Sequence, residues 1–244
     1  MQLQDVLDSK IYVKESGAVK FEAPKYYLEP FIDSLGENVL SYRVEVASPV
    51  SNQNVDSDDV NTAYPKVLVE AHVGTHIEGF DSVIGMIYSL DSKPIVKVYS
   101  GENARACINL TIFNVEHVFE QNLLTNYKDV YGKTLLWRNN KEKQAVEFET
   151  TLKKLQNQFM DEKQLNELMG YLLLKSRKAR IGTSPIVSAA QYLTDPASTY
   201  YPYHGEEFRC SKWNVYNAVT QSLHSSDILS KPTKTVSLAK LFLN

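Results

Sequence analysis

The spacing of apolar residues changes along the chain, and this change most constrains the fold. Residues 39–46 and 66–73 carry an apolar side chain at every second position, and short apolar runs follow at 83–90 and 95–99. Residues 142–160 and 163–178 instead carry apolar side chains three and four positions apart. A period of two indicates strands and a period near 3.6 indicates helices. We therefore predict an α+β fold, with an antiparallel sheet in the N-terminal half and a mainly helical C-terminal half.

Within these segments the pattern also assigns side chains to a buried face. For the strands this face comprises Leu40, Tyr42, Val44, Val46, Val67, Val69, Ala71 and Val73. For residues 142–160 it comprises Val146, Leu152, Leu155 and Phe159. Capping and turn residues predict further helices over Pro24–Leu35, ended by Gly36, over 184–193, capped by Ser184, and near 209–224.

The two halves of the chain differ in charge. Residues 1–126 contain 9 Lys/Arg and 18 Asp/Glu, a net charge of −9, whereas residues 127–244 contain 17 and 11, a net charge of +6. We divide the chain into a sheet-rich acidic part, 1–126, and a helical basic part, 127–244, within one compact domain. A basic half suits nucleic acid or another polyanion. Alternatively, the two halves present oppositely charged surfaces to each other within an oligomer.

The two cysteines and the N-terminal segment indicate the cellular compartment. Cys107 and Cys210 form no CxxC pair, and no basic leader with an apolar run opens the chain. No apolar stretch approaches the roughly 18 residues that span a bilayer. We therefore expect a reducing, cytoplasmic setting and no membrane partner.

Residues 70–78 carry two carboxylates and two imidazoles at even spacing: Glu70, His72, His76 and Glu78. Such groups suit a divalent metal. However, His72 and His76 would lie about 13 Å apart on an extended strand, at about 3.3 Å per residue, which one ion cannot bridge without a bend at Gly74. We therefore interpret the four residues as solvated and predict no metal site.

Catalytic motifs are missing from the sequence. It contains no GxxxxGK[ST], GxGxxG, HExxH or GxSxG pattern. Cys107 lies in an apolar run, and free cysteines are commonly buried, so we expect inert thiols. We predict no enzyme activity and no cofactor; a metal- or thiol-dependent enzyme is a third hypothesis.

Four cations occur within six residues at the end of a predicted helix: Lys175, Arg177, Lys178 and Arg180. The helix dipole favours cations there by roughly 0.3–1 kcal/mol each, which is one explanation. The other explanation is contact with phosphates, which would give binding that weakens steeply with salt.

An aromatic and basic stretch follows, comprising Tyr200, Tyr201, Tyr203, His204, Phe208, Arg209, Lys212, Trp213 and Tyr216. Aromatic faces stack on unpaired bases for roughly 1–3 kcal/mol each, while cations contact phosphates. Trp213 and Tyr216 are three positions apart on a helix, so we expect them to pack on the core. The loop tyrosines, with Arg209 and Lys212, predict a surface for single-stranded nucleic acid.

Two other segments suit a protein partner. Residues 48–64 form an acidic loop or flap, with Asp56, Asp58 and Asp59, that could imitate nucleic acid. Residues 231–244 carry lysines around apolar side chains and could dock on another subunit or a partner, or cap their own core. These segments motivate the alternative hypothesis of a module that inhibits or recruits a host factor.

Two segments resemble a family of phage- and plasmid-encoded proteins of unknown function. Residues 91–110 contain Arg105, Cys107 and Asn109 in the arrangement of that family, and residues 212–224 resemble its helical Trp…Tyr-Asn-Ala-Val-Thr…His signature. The acidic sheet half and basic helical half are also similar to early single-stranded-DNA-binding transcription cofactors of certain podoviruses. The resemblance implies a viral protein that handles DNA in the host cell cytoplasm.

The charge distribution, the cation cluster and the tyrosine loop together predict a phage-type single-stranded-DNA-binding protein. Its expected role is in viral transcription, replication or recombination. The expected partners are single-stranded DNA, RNA polymerase or replication proteins, and further copies of this chain in a homo-oligomer.

Overall fold

The computed structural model describes residues 2–8, 24–47, 50–53, 60–63, 66–74, 77–89, 95–105, 109–122, 129–223 and 228–243. The described residues form an antiparallel sheet in the N-terminal half and mostly helices in the C-terminal half, so the α+β prediction is confirmed. Two compact units are present. The first comprises residues 1–74, 82–100 and 116–141, and the second comprises residues 75–81, 101–115 and 142–244.

The described residues form helices and short strands. In chain order they are α1 (Leu3–Leu7), α2 (Pro24–Leu35), β1 (Ser41–Ala47), β2 (Val50–Gln53), β3 (Val60–Ala63), β4 (Lys66–His72), β5 (Phe80–Ser89), β6 (Ile95–Ala104), β7 (Asn109–Thr111), β8 (Val118–Asn122), α3 (Asp129–Asn139), α4 (Lys141–Gln156), β9 (Phe159–Met160), α5 (Glu162–Ser176), α6 (Ser184–Thr194), β10 (Tyr203–His204), β11 (Glu207–Phe208), β12 (Cys210–Ser211), α7 (Lys212–Ser222) and α8 (Lys231–Leu243). Short 3₁₀ turns follow α2 and precede β8.

The first unit is built on the main sheet. Its strands are ordered β1-β4-β5-β6, and β8 also pairs with β6. The register sets Val44 of β1 opposite Val69 of β4, and Val69 opposite Met86 of β5, in antiparallel pairs. β2 and β3 form a separate antiparallel pair. Apolar side chains of neighbouring strands therefore lie side by side on one face of the sheet.

That face packs on three helices. Val67, Val69, Ala71 and Val73 are all buried against residues of α1, α2 and α3, as the alternation predicts. Fully burying one such aliphatic side chain contributes roughly 1.5–3 kcal/mol. Leu40, which the alternation also places on this face, is 73% exposed. It precedes β1, so the pleat of the strand does not orient it.

The second unit is mainly helical. Its core contains Leu172 of α5, Ile186 of α6, Tyr216 of α7 and Phe242 of α8, all buried. β7 lies beside the end of β6, where Glu102 pairs with Thr111. The three helices predicted within residues 163–224 are present as α5, α6 and α7, and their bounds differ from the predicted ones by up to three residues.

The buried face of α4 differs from the prediction. Ala145, Phe148, Leu152 and Leu155 are buried, whereas Val146 is exposed. Phe159 is exposed as well, because α4 ends at Gln156 and Phe159 lies in β9. At α6, Thr183 rather than Ser184 occupies the N-cap position, and its side chain makes no capping bond.

The charge contrast is smaller between the units than between the halves of the chain. The first unit contains 12 Lys/Arg and 16 Asp/Glu, a net charge of −4, and the second contains 14 and 13, a net charge of +1. Residues 127–141, with a net charge of +3, belong to the basic half but to the first unit, and Glu78 and Asp81 of the acidic half belong to the second unit. A positive field on the second unit must therefore come from the local placement of its cations.

Among the described residues, no helix is both long and apolar enough to cross a membrane.

Candidate nucleic-acid interface

The sequence specifies where α5 begins and ends. The Gln164 backbone N–H donates to the Asp161 carboxylate at 2.8 Å, and the Asp161 N–H donates to the Gln164 side-chain oxygen at 3.0 Å. This reciprocal capping box starts the helix. At the other end, the Ile181 N–H donates to the Ser176 carbonyl at 2.9 Å. The predicted cation cluster therefore lies in the last turn of α5 and in the turn that follows.

All four cations of this cluster, Lys175, Arg177, Lys178 and Arg180, are exposed. Lys175 lies in the last turn of α5, where the helix dipole favours a cation. Arg180 takes a φ of 59°, the left-handed region, which costs an L-residue roughly 1–2 kcal/mol relative to glycine. Arginine thus occupies a position where the backbone alone would favour glycine.

Part of the cluster lines a groove between α5 and α8. The groove has a volume of about 230 Å³ and is lined by Lys175, Lys178, Ala179, Ser237, Lys240 and Leu241. Among the described residues, none of its three lysines has a carboxylate within 4 Å. The groove thus combines three ammonium groups, one hydroxyl and an apolar surface, which suits an anion that also has an apolar part.

The C-terminal segment supplies one side of this groove and packs on its own core. Leu238 and Phe242 of α8 are buried, and the Phe242 ring contacts the Tyr216 ring edge-on at 5.3 Å. Of the alternatives for residues 231–244, capping of the chain's own core is therefore confirmed. Lys240 lies on the exposed side of the same helix.

The loop tyrosines lie at the other end of α5. Tyr200 packs beside Tyr192 at 5.9 Å, and Tyr201 contacts Tyr203 at 5.5 Å. The Tyr203 hydroxyl donates to the carboxylate of Glu162, the first residue of α5, and this hydrogen bond raises the pKa of Tyr203. α5 has 15 residues, or about 21 Å at 1.5 Å per residue. The predicted tyrosine and cation sites are therefore separated by about the length of this helix.

Arg209 and Lys212 differ in their surroundings. The Arg209 guanidinium forms two contacts of 2.9 Å with the Glu207 carboxylate. The hydrogen bond between them raises the pKa of Arg209 and lowers the pKa of Glu207. Contact of Arg209 with a phosphate stays a prediction and would require this pair to open. Lys212, the first residue of α7, lines a second pocket.

This second pocket contains residues that the sequence patterns did not identify. It has a volume of about 540 Å³, and its lining includes Asn157, Gln158, Phe159, Gln164, Tyr171 and Lys212. Phe159 is 68% exposed and Tyr171 is 39% exposed. The signal that could have revealed it is the spacing of Gln164, Leu168, Tyr171 and Lys175, which places them along one face of α5.

Trp213 and Tyr216 pack on the core, as predicted. Their rings stack at 5.6 Å, and Tyr216 is fully buried. Beside them, the Asn109 side chain donates to the Asn217 side-chain oxygen at 2.8 Å and to its carbonyl at 3.2 Å. This contact joins the two segments on which the family resemblance rests. The resemblance itself stays a prediction.

The interpretation of residues 70–78 as solvated is wrong for Glu70. Glu70 is 1% exposed, accepts a hydrogen bond from the Tyr99 hydroxyl at 2.5 Å, and lies 3.2 Å from the Arg43 guanidinium. Burial and the neighbouring Glu70 carboxylate together raise the pKa of Tyr99. The other face of β4 is also buried, so the alternation of apolar residues does not distinguish exposed from buried positions in this strand. Glu78 is exposed, and His76 lies outside the described residues.

The described part of the chain offers no reactive cysteine and no cluster of metal ligands. Cys210 is buried, and burial raises the pKa of its thiol to about 11, which disfavours the thiolate nucleophile. Cys107 lies outside the described residues. No three His, Cys, Asp or Glu side chains that the structure describes come together to hold a metal ion.

The acidic flap is only partly described. Residues 50–53 and 60–63 pair as β2 and β3, so this segment contains strands where a loop was predicted. Asp56, Asp58 and Asp59 lie outside the described residues. The hypothesis of a protein-binding flap therefore stays a prediction.

Comparison of the chain with protein-family models, curated proteins and solved structures finds no match.

Proposed function

We propose that this protein binds single-stranded DNA through the groove lined by Lys175, Lys178 and Lys240. The observation that carries the proposal is the convergence of three exposed lysines from two distant segments, with no carboxylate within 4 Å among the described residues. Lysines that contact phosphates displace the counterions condensed on the nucleic acid, and this release supplies a large share of the affinity.

The distribution of carboxylates in the helices of the second unit supports the proposal. α6, α7 and α8 contain no Asp or Glu, and the two carboxylates of α5, Glu162 and Glu167, lie two or more turns before Lys175. Other lysines of the second unit are paired instead: Lys143, Lys153 and Lys163 each lie within 4 Å of a glutamate one helical turn away. The net charge of the unit is only +1, so the positive potential is local to the groove.

Arg180 gives further support. A residue held in an unfavourable backbone conformation suggests a function when its side chain does not explain its presence. The Arg180 side chain is exposed, and among the described residues it has no ion pair. We include Arg180, with Arg177, in the phosphate-contacting surface. Tyr201 and Tyr203 stay in the proposal as distal contacts.

The biological setting belongs to the same proposal. It comprises a viral role in transcription, replication or recombination in the host cytoplasm, a homo-oligomer, and contact with RNA polymerase or replication proteins. These parts rest on the sequence resemblance and on the DNA-binding surface together.

The proposal is tested by fluorescence anisotropy with labelled single- and double-stranded DNA and with an RNA strand of the same sequence, between about 50 and 200 mM salt. We expect salt-sensitive binding with preference for the single DNA strand. Replacing Lys175, Lys178 and Lys240 by Ala should lower the slope of log K against log salt by about 2, at about 0.7 per phosphate contact.

A matched control removes the same charge elsewhere. The Lys143→Ala, Lys153→Ala and Lys163→Ala triple variant loses three exposed lysines of the same unit that are already paired with glutamates. It should keep the original salt slope. Equal effects of the two triple variants would show that only net charge matters and would overturn the groove assignment. Binding of neither nucleic acid would favour the protein-partner hypothesis.

A further inference from the structure

The pocket lined by Phe159, Tyr171 and Lys212 and the lysine groove lie end to end along α5. Gln164, Leu168 and Tyr171 line the pocket, and Lys175 and Lys178 line the groove. Gln164, Leu168, Tyr171 and Lys175 are spaced by three or four residues, so they share one face of the helix, and Lys178 lies in the turn that follows it. The Lys175 ammonium lies 5.9 Å from the centre of the Tyr171 ring, which joins the two sites.

The chemistry of the pocket differs from that of the groove. It presents two partly exposed aromatic side chains, Phe159 and Tyr171, and three side-chain amides, Asn157, Gln158 and Gln164. It also holds one carboxylate, Glu167, and one cation, Lys212. Aromatic faces stack on unpaired bases, while amides and carboxylates bond to the polar edges of bases. Its volume of about 540 Å³ falls within the range of small-molecule sites.

We propose that this pocket binds an unpaired nucleobase of a strand whose phosphates continue into the lysine groove. Phe159 and Tyr171 stack on the base, the amides and Glu167 bond to its edge, and Lys212 contacts the adjoining phosphate. This assignment rests on the proposed DNA binding and names the base-contacting residues as a set distinct from the loop tyrosines.

The geometry of α5 suits a single strand. Gln164 and Lys175 are eleven residues apart, or about 17 Å along the helix axis at 1.5 Å per residue. That distance corresponds to roughly five nucleotides at about 3.4 Å per nucleotide of a stacked strand. A strand of this length has enough phosphates to contact the groove while one base enters the pocket. A paired base could not stack in the pocket without leaving its duplex.

The experiment compares two labelled strands of equal length and charge with the full-length protein. One is an ordinary single-stranded DNA, and the other is an abasic strand that keeps the sugars and phosphates. We expect the intact strand to bind about 5- to 150-fold more tightly, the range that one stacked base gives. Both strands should show the same salt slope, because they carry the same phosphates.

Two variants locate the effect. Phe159→Ala should weaken binding of the intact strand by about 5- to 150-fold and leave the abasic strand unchanged. Phe159 is mostly exposed, so the variant should fold, which circular dichroism checks. Val146→Ala is the matched control: Val146 is an exposed apolar residue of α4 that does not line the pocket, and its loss should change neither strand.

The outcomes separate this inference from the proposed function. Salt-sensitive binding of both strands with equal affinity, unchanged by Phe159→Ala, would overturn the base pocket and leave the phosphate groove in place. Binding of neither strand would overturn both. Tighter binding of the intact strand, lost in Phe159→Ala and kept in Val146→Ala, supports the pocket.

Discussion

Cys210 is a buried thiol whose ionisation is coupled to folding. It lies in the core of the second unit among Leu155, Val215 and other apolar side chains. Burial raises its pKa to about 11, from 9.0 for an ordinary thiol. The native state therefore keeps its proton over a pH range in which the unfolded chain releases it.

This coupling predicts a loss of stability in alkali. As pH rises from about 9 to 11, the unfolded state binds fewer protons than the native state, so the free energy of unfolding falls. By pH 10.5 the thiol accounts for a loss of about 2 kcal/mol. Urea unfolding at pH 8 and pH 10.5 should show that Cys210→Ala loses about 2 kcal/mol less than the native sequence.

The buried tyrosines do not affect the difference in stability loss between the native sequence and Cys210→Ala. Tyr88, Tyr99 and Tyr216 also have raised pKa values because they are buried. They are present in both proteins, so the difference between them isolates the thiol. An identical loss of stability in both proteins would contradict the assignment.

Single residues were predictable where burial alone decides their position. Tyr216 and Cys210 are buried as expected, because an aromatic ring on a helical stripe and a free thiol gain by leaving water. Glu70 was not predictable, since its burial depends on Tyr99 and Arg43, which are remote in sequence. Phe159 was misassigned because α4 ends three residues before it.

Among the structural elements, β5 and β6 depend on one close contact. A Cβ atom at Gly85 of β5 would lie 2.2 Å from the Tyr99 ring of β6, so no larger side chain fits without movement. Tyr99 cannot move freely, because its hydroxyl bonds to buried Glu70. Glycine at this strand position therefore serves packing, not a turn.

We predict opposite effects for two Gly→Ala substitutions. Gly85→Ala should lower the free energy of unfolding by at least about 1–3 kcal/mol through overpacking. Gly170→Ala, in α5, has open space around its Cβ and should raise it by about 1 kcal/mol through helix propensity. Urea denaturation of both variants measures the two changes. Similar effects at the two sites would contradict the packing argument.

α3 shows where element prediction fails. Its buried residues are Val130, Thr134 and Trp137, one of which is polar, so its apolar stripe is weak. The Thr134 hydroxyl bonds to the Val130 carbonyl within the helix, which makes its burial possible. Strong stripes, as in the strands at 66–73, were predicted well. Tertiary packing stabilises α3, and the apolar pattern of its own sequence does not reveal this packing.

At the scale of the whole molecule, the lysine groove could be predicted only in part. Lys175 and Lys178 were visible as a charge cluster, and Lys240 was visible as part of a basic tail. That the three line one groove follows from the packing of α8 in the second unit. No local pattern contains that information, because the two segments are separated by two helices.

The basic half of the chain should not fold alone. A fragment of residues 127–244 lacks the end of β6, β7 and the residue after it, including buried Leu110 and Ile112 and the Asn109 side chain that bonds to Asn217. We expect it to bind hydrophobic dyes and to lose its near-ultraviolet dichroism. A fragment of residues 75–244 retains every segment of the second unit and should unfold cooperatively in urea. Cooperative unfolding of the shorter fragment would contradict this dependence.

The chain passes between its two units five times, and β5 and β6 each cross from one unit to the other within a single strand. The chain thus passes from one unit to the other within strands. Ordinary modular proteins can gain, lose or exchange a domain by one cut in a linker. No single cut separates these two units. A gene rearrangement could therefore transfer the second unit, with its lysine groove, to another protein only together with β5 and β6, which the two units share.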